Sequence, residues 1–257
     1  MDIVFEYSDN LEDIALSNDK PLYVRNAGHY ILTKQTHDVR RAQGTSDYQI
    51  LYLVQGTMKL ILNGQELFLH SGSLIIFKPN EPQFYSYLAE NATVESYYVH
   101  FHGYLAEQIF KDLDIFEYQV ANIGEVSAIP ELITSILMQL LAKDYGYEYK
   151  CFADLLQLLQ VCGRELKKIP TYDPKHTKEF LNVLSQLQNY PHWFELEKYA
   201  KICHLSVSRF SHLFKQYFGV SPQGYRMEML IRKAKKYLMY TNMNNEQIAE
   251  KLNLNSS

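Results

Sequence analysis

Seven residues between positions 206 and 216 carry side chains suited to reading a nucleic acid: Ser206, Ser208, Arg209, Ser211, His212, Lys215 and Gln216. Hydroxyl, imidazole and amide groups exchange hydrogen bonds with base edges, an arginine fork reaches a guanine or a phosphate, and a lysine finds phosphate. None of the seven is acidic. Between them Phe210, Leu213, Phe214 and Tyr217 fall at i, i+3, i+4 and i+7, the apolar stripe of an amphipathic helix. Ser206 stands where an N-cap belongs, Gly219 where the helix should stop, and Pro222 blocks continuation.

The residue types bear on two other chemistries. Cys151, Cys162 and Cys203 are an odd set without metal-ligand spacing, and fit reduced, buried thiols in a cytosolic protein. His70, His100 and His102 are too scattered for a ligand set and read as surface or packing histidines. No metal, cofactor or catalytic constellation is expected. Tyrosines are many, among them Tyr30, Tyr48, Tyr52, Tyr85, Tyr87, Tyr97 and Tyr98. Aromatic faces stack on the C–H surfaces of sugars while their hydroxyls direct hydrogen bonds, although tyrosines also simply fill the walls of sheets.

The elements that must position these groups fall into two regimes. From 22 to 101 the chain alternates apolar and polar residues, as in YQILYLVQG (48–56), TMKLILNGQELFLHSGSLIIF (57–77) and VESYYVHF (94–101), with Asn63-Gly64 marking a hairpin. Short strands at this spacing predict a small β-barrel or jelly roll. From Tyr104 the period becomes helical, over 104–118, 128–143 and 148–168. The last two are expected to pair antiparallel, covering the barrel or forming a dimer seam. IPTYDPKH (169–176) is the best linker. Beyond it, TKEFLNVLSQLQNY and ELEKYAKIC (195–203) read as helices, and His204-Leu205-Ser206 as a turn. A long helix from Pro222 to Tyr240 follows, with Tyr225, Met229, Ala234 and Leu238 inward. Asn244-Asn245 then cap EQIAEKL.

The net charge of −4 conceals an asymmetry. Residues 175–257 hold 12 Lys and Arg against 6 Asp and Glu, whereas the first 174 hold 13 against 23. A basic module on an acidic body points to nucleic acid as the module's partner. Helix, three-residue turn and capped helix is helix-turn-helix grammar, with Ala200 small where the helices cross. Ser208, Ser211 and His212 then lie on the free face near the helix start, with Arg209 at its border and Lys215 further along. A solvated α-hairpin is the alternative. With 47% hydrophobic residues the chain can bury a core, no run approaches the length of a membrane span, and MDIVFEYSDN lacks a secretory n-region.

LSVSRFSHLFKQYFGVSPQGYRMEMLIRKAKKYL resembles the first helix-turn-helix of the AraC family of transcription regulators. Leu213-Phe214-Lys215, Phe218-Gly219, Ser221-Pro222, Tyr225 and Arg232 to Leu238 carry the match, which spans about 80 residues. YQILYLVQGTMKLILNGQELFLHSGSLIIFKPNEPQFYSY is similar to the cupin-like sensing barrel of that family. Asp47-Tyr48-Gln49 and Gln83 stand where cupin enzymes keep metal-binding histidines, which argues against metal and catalysis. The resemblance implies a ligand set of Arg41, Tyr85, Ser96 and Tyr98, by analogy with sugar-sensing members.

The resulting expectation is an α+β chain. A cupin-like β-barrel with following helices (1–168) senses a small-molecule effector, expected to be a carbohydrate. A linker (169–175) leads to an all-α helix-turn-helix domain (176–257) that binds double-stranded DNA. The protein is expected to be a cytoplasmic homodimer without membrane association, in which ligand binding shifts the relative placement of the domains. The family's second helix-turn-helix is represented only by NNEQIAEKLNLNSS, so Gln247, Ile248 and Leu252 are expected to pack poorly. An alternative follows: a sensor or antagonist with little DNA binding of its own. A cupin enzyme is the other competing class.

Overall fold

The computed structural model describes residues 2–8, 20–34, 36–89, 92–116, 119–168, 179–180, 182–184, 186–187, 194–241 and 243–252. The chain divides into two compact units, Met1–Tyr172 and Asp173–Ser257. The expected linker at 169–175 lies outside the described residues.

The first unit is built on two antiparallel sheets. One has six strands in the order β1 (Ile3–Ser8), β2 (Tyr23–Leu32), β9 (Val94–His102), β4 (Tyr48–Gln55), β7 (Ser73–Phe77) and β10 (Val120–Asn122). The other has four: β3 (His37–Arg41), β8 (Gln83–Tyr87), β5 (Thr57–Leu62) and β6 (Gln65–His70). This is a cupin-like jelly-roll arrangement, but the expected barrel is not closed: among the described residues the two sheets share no ladder. The β5–β6 hairpin turns at Asn63 and Gly64, whose φ values of 51° and 77° suit the tight primed turns that match strand twist.

Strand β4 is buried on both faces, so its alternation of side chains serves two cores. Tyr48, Ile50 and Tyr52 join Leu74, Ile76, Val99 and Phe101 in a cluster with three helices: α1 (Ala106–Asp112), α2 (Ala128–Ala142) and α3 (Tyr147–Lys167). Gln49, Leu51 and Leu53 point the other way, and Gln49 Nε2 donates to the Tyr85 hydroxyl of the second sheet at 3.4 Å. The helix expected over 104–118 is the shorter α1. Helices α2 and α3 pack against each other, with Ser135 Oγ donating to Asp154 Oδ2 at 2.7 Å across the pair. Tyr52 ties this layer to the sheet: its hydroxyl donates to the Gly124 carbonyl at 2.7 Å and accepts the Val126 N–H at 2.9 Å, just before α2 begins.

The second unit is helical: α4 (Leu196–Ile202), α5 (Val207–Phe218), α6 (Pro222–Tyr240) and α7 (Asn245–Lys251), preceded by helical residues between 179 and 187. Its core is aromatic. Phe180 stacks on Phe210 with ring centroids 5.7 Å apart and lies 4.9 Å from Tyr217; Phe214 contacts Phe218 at 4.6 Å and Tyr225 at 5.8 Å. Tyr225 and Met229 are inward as expected, whereas Leu238 is 55% exposed. Ile248 and Leu252 correct the expectation of poor packing. Both are buried, because α7 folds back on α6 and a reciprocal capping box between Asn244 and Gln247 fixes its first turn.

Candidate functional site

Helix α5 is set by its ends. The Ser206 hydroxyl accepts the Arg209 N–H at 3.3 Å, and Gly219, at φ 78°, returns its N–H to the Lys215 carbonyl at 2.8 Å. The turn before it depends on His204, held at φ 54°, and on the Leu205 N–H donating to the Ala200 carbonyl at 2.9 Å. Ala200 is buried where the helices meet, and α4 packs against α5. Phe210, Leu213, Phe214, Tyr217 and Phe218 are all buried, so the opposite face is free.

That face bears the expected readers unequally. Ser208, His212 and Lys215 are exposed, and Arg209 and Ser211 are half-buried. Ser206 is exposed, but its hydroxyl oxygen is engaged as the cap. Gln216 departs from the expectation: its side chain is half-buried and its Oε1 is buried without a hydrogen-bond partner. No acidic residue occupies the first turn, so the positive end of the helix dipole is unopposed there. Val207 is exposed at the helix start; its residue type gives no sequence signal for a reader.

In the first unit Arg41, Tyr85, Ser96 and Tyr98 belong to one polar region between the sheets. Arg41 Nη1 donates to Gln83 Oε1 at 2.8 Å across the β3–β8 ladder. Tyr85 lies 5.7 Å from Tyr87 ring to ring, and Tyr87 lies 5.9 Å from Tyr30. The Tyr30 and Tyr98 hydroxyls are 3.4 Å apart and both donate to Glu6 Oε2, at 2.6 and 3.0 Å. Gln49 Oε1 is buried without a hydrogen-bond partner, and the buried Ser96 hydroxyl lies within interacting distance of the Tyr87 phenol. Burial pushes the Tyr85, Tyr87 and Tyr98 phenols above the ordinary tyrosine range, so all three are neutral donors at physiological pH.

Next to this region lies a buried ionic group. Asp47 Oδ2 accepts from Arg25 Nη1 at 3.0 Å, and Asp47 Oδ1 lies 3.0 Å from His100 Nδ1. Burial alone would raise the Asp47 carboxyl. The hydrogen bond and charge of His100, with Thr45 and Arg25, more than offset it and hold the carboxyl below its usual range. His100 is thus a buried hydrogen-bond partner of Asp47 rather than a solitary packing residue. Gln83 Nε2 donates to Thr45 Oγ1 at 3.3 Å, so Arg41, Gln83 and Thr45 lead from the polar region to this group. Among the described residues no three His, Cys, Asp or Glu side chains gather as a metal site. Cys151, Cys162 and Cys203 are buried and free, and burial pushes their thiols up to about 11, 12 and 12. No described helix is long and apolar enough to cross a membrane.

Comparison with known proteins matches residues 28–159 to the AraC-like ligand binding domain and residues 199–257 to a helix-turn-helix domain. No curated protein sequence matches the chain. Among solved structures, ToxT from Vibrio cholerae O395 bound to (E)-4-(8-methylnaphthalen-1-yl)but-3-enoic acid is 15% identical, over 82% of this chain and 100% of ToxT, with a TM-score of 0.34. Wild-type ToxT with bound unsaturated fatty acid, from Vibrio cholerae strain SCE256, is 16% identical, over 78% of this chain and 94% of that one, with a TM-score of 0.32. The Cupin_2 domain of an XRE family regulator from Enterobacter cloacae is 8% identical, over 38% of this chain and 94% of that domain, with a TM-score of 0.27. Scores this low carry no argument by themselves. The two domain matches, in this order along one chain, do: the protein belongs to the AraC family, as a DNA-binding transcription regulator that responds to a small molecule.

Proposed function

We propose that the effector is a small, neutral, hydroxyl-rich molecule of the carbohydrate class, taken up between the two sheets of the first unit. The observation that carries this reading is the buried, unpartnered acceptor Gln49 Oε1, in a region that also holds the buried Ser96 hydroxyl and neutral tyrosine hydroxyls. A buried polar atom without a partner costs roughly 1–3 kcal/mol, which a ligand hydroxyl would recover. The Arg41 fork adds directed donors, and the ring faces of Tyr30, Tyr85, Tyr87 and Tyr98 suit the C–H surface of a sugar. A fatty acid would bring few hydroxyls to this set and a carboxylate to the neighbourhood of Glu6.

In the same reading α5 lies in the major groove. Ser208, Ser211 and His212 meet base edges, while Arg209 and Lys215 meet phosphates. The protein acts in the cytoplasm as a homodimer through the α2–α3 pair, whose Met138 and Leu141 are exposed. Effector binding alters DNA affinity only if the effector prefers one of two conformations of the protein.

The test is thermal unfolding of the full chain with pentoses, hexoses and sugar alcohols, beside fatty and aromatic acids. A binder at a hundred times its Kd stabilises by about 2.7 kcal/mol. Stabilisation by a polyol, lost in Ser96→Ala and Tyr85→Phe, is the expected result. Stabilisation by the acids alone overturns the carbohydrate reading.

A further inference from the structure

We propose that Val207 and Ser211 together read a thymine. The inference rests on α5 being the groove helix and adds a base to that reading. Val207 is the first residue of α5 and is 37% exposed, whereas the other large apolar side chains of the helix are buried. A single exposed valine is ordinary on a protein surface; its place is what is informative. The N-terminal turn of a groove helix is the part that reaches base edges, and its exposed neighbours Ser206 and Ser208 are short enough to let the helix come close.

Val207 and Ser211 are related as i and i+4, so they are neighbours on one side of the helix. Thymine is the base whose major-groove edge carries a methyl group beside an acceptor, O4. The valine methyls pack on the C5-methyl, and the serine hydroxyl donates to O4. Cytosine offers a donor and no methyl there, and neither purine carries a methyl. Ser211 is half-buried, one helical turn beyond Val207.

The experiment uses the full 257-residue chain. A duplex is enriched from a randomised pool, and each dT in it is replaced singly by dU, which removes only the methyl. One dT→dU replacement in the half-site is expected to weaken binding about fourfold, the weight of one buried methyl-sized group. Val207→Ala should bind the dT and dU duplexes alike, whereas Ser211→Ala should keep the dT–dU difference and lose preference for dU over dC, which differ only in the O4 acceptor. An enriched duplex in which no dT→dU replacement matters overturns the inference, as does a dT–dU difference that survives in Val207→Ala. If no duplex is enriched at all, the groove reading of α5 fails and the inference falls with it.

Discussion

Tyr98 lies over Gly28, its partner across the β2–β9 ladder, so closely that a Cβ on Gly28 would stand 2.5 Å from Tyr98 Cε1. Strand β2 therefore omits a side chain where β9 supplies a large one. The ring can then reach Glu6 and Tyr30 with its hydroxyl while remaining 5.8 Å from His100. Gly28→Ala should push the ring off these partners. The expected cost is about 1–3 kcal/mol, typical of overpacking, with at least a tenfold loss in affinity for the polyol that best stabilises the wild type. Chemical denaturation and calorimetric titration read the two effects separately.

Tyr52 holds the segment before α2 through one hydroxyl that both donates and accepts. Tyr52→Phe keeps the ring and removes both bonds. We expect a loss of about 1–3 kcal/mol, since the Gly124 carbonyl and Val126 N–H lose their partner. Amide exchange at Val126 should accelerate more than exchange within β4. Equal exchange rates in the two proteins would mean that the hydroxyl is not what fastens the segment.

Asp47 makes the first unit sensitive to acid. Its carboxyl is held below its unfolded value, so its contribution is fully present above that value and is lost as pH falls through the folded one. Asp47→Asn leaves Arg25 buried beside a neutral partner, and should destabilise the protein by about 3–5 kcal/mol at neutral pH. The gap between wild type and variant should stay constant from about pH 6 to 8 and narrow below about pH 4. Urea midpoints measured across this range check it; a gap that persists undiminished at about pH 2 contradicts the ion-pair account.

Lys215 and His212 should separate affinity from specificity. Lys215→Ala is expected to weaken all duplexes alike and to reduce the slope of log K against log salt by about one. His212→Ala should leave the slope intact and relax preference at one or two base pairs. Competition binding with single-position duplex variants distinguishes the two patterns.

Features set by neighbouring residues are legible in the sequence alone. Asn63-Gly64 marks its hairpin, Ser206 and Gly219 bound α5, and the alternation in 48–56 marks β4, because a turn, a cap and a period are local. The Arg25–Asp47–His100 group is not legible in this way. Arg25 and His100 lie 22 and 53 residues from Asp47, and only the adjacency of β2, β4 and β9 joins them. Gly28 carries no local signal, since its φ is ordinary and its role is defined by a ring on another strand. Leu238 and Gln216 show the limit of helical periodicity. A phase fixes which side a residue takes, but what covers that side depends on tertiary packing. The four residues of the ligand set follow from family resemblance; the sheets bring them into one region, and their partners Gln49, Gln83 and Tyr30 emerge only from the ladders.

The most direct test of the account is DNA binding by the full chain, followed by fluorescence anisotropy on the region upstream of its own gene, as a salt series with and without the stabilising polyol. The account predicts sequence-selective binding, a steep negative slope of log K against log salt, and an affinity that changes when the polyol is added. Weak, sequence-indifferent binding that the polyol leaves unchanged would contradict it, and would favour a sensor that acts through a partner rather than on DNA itself.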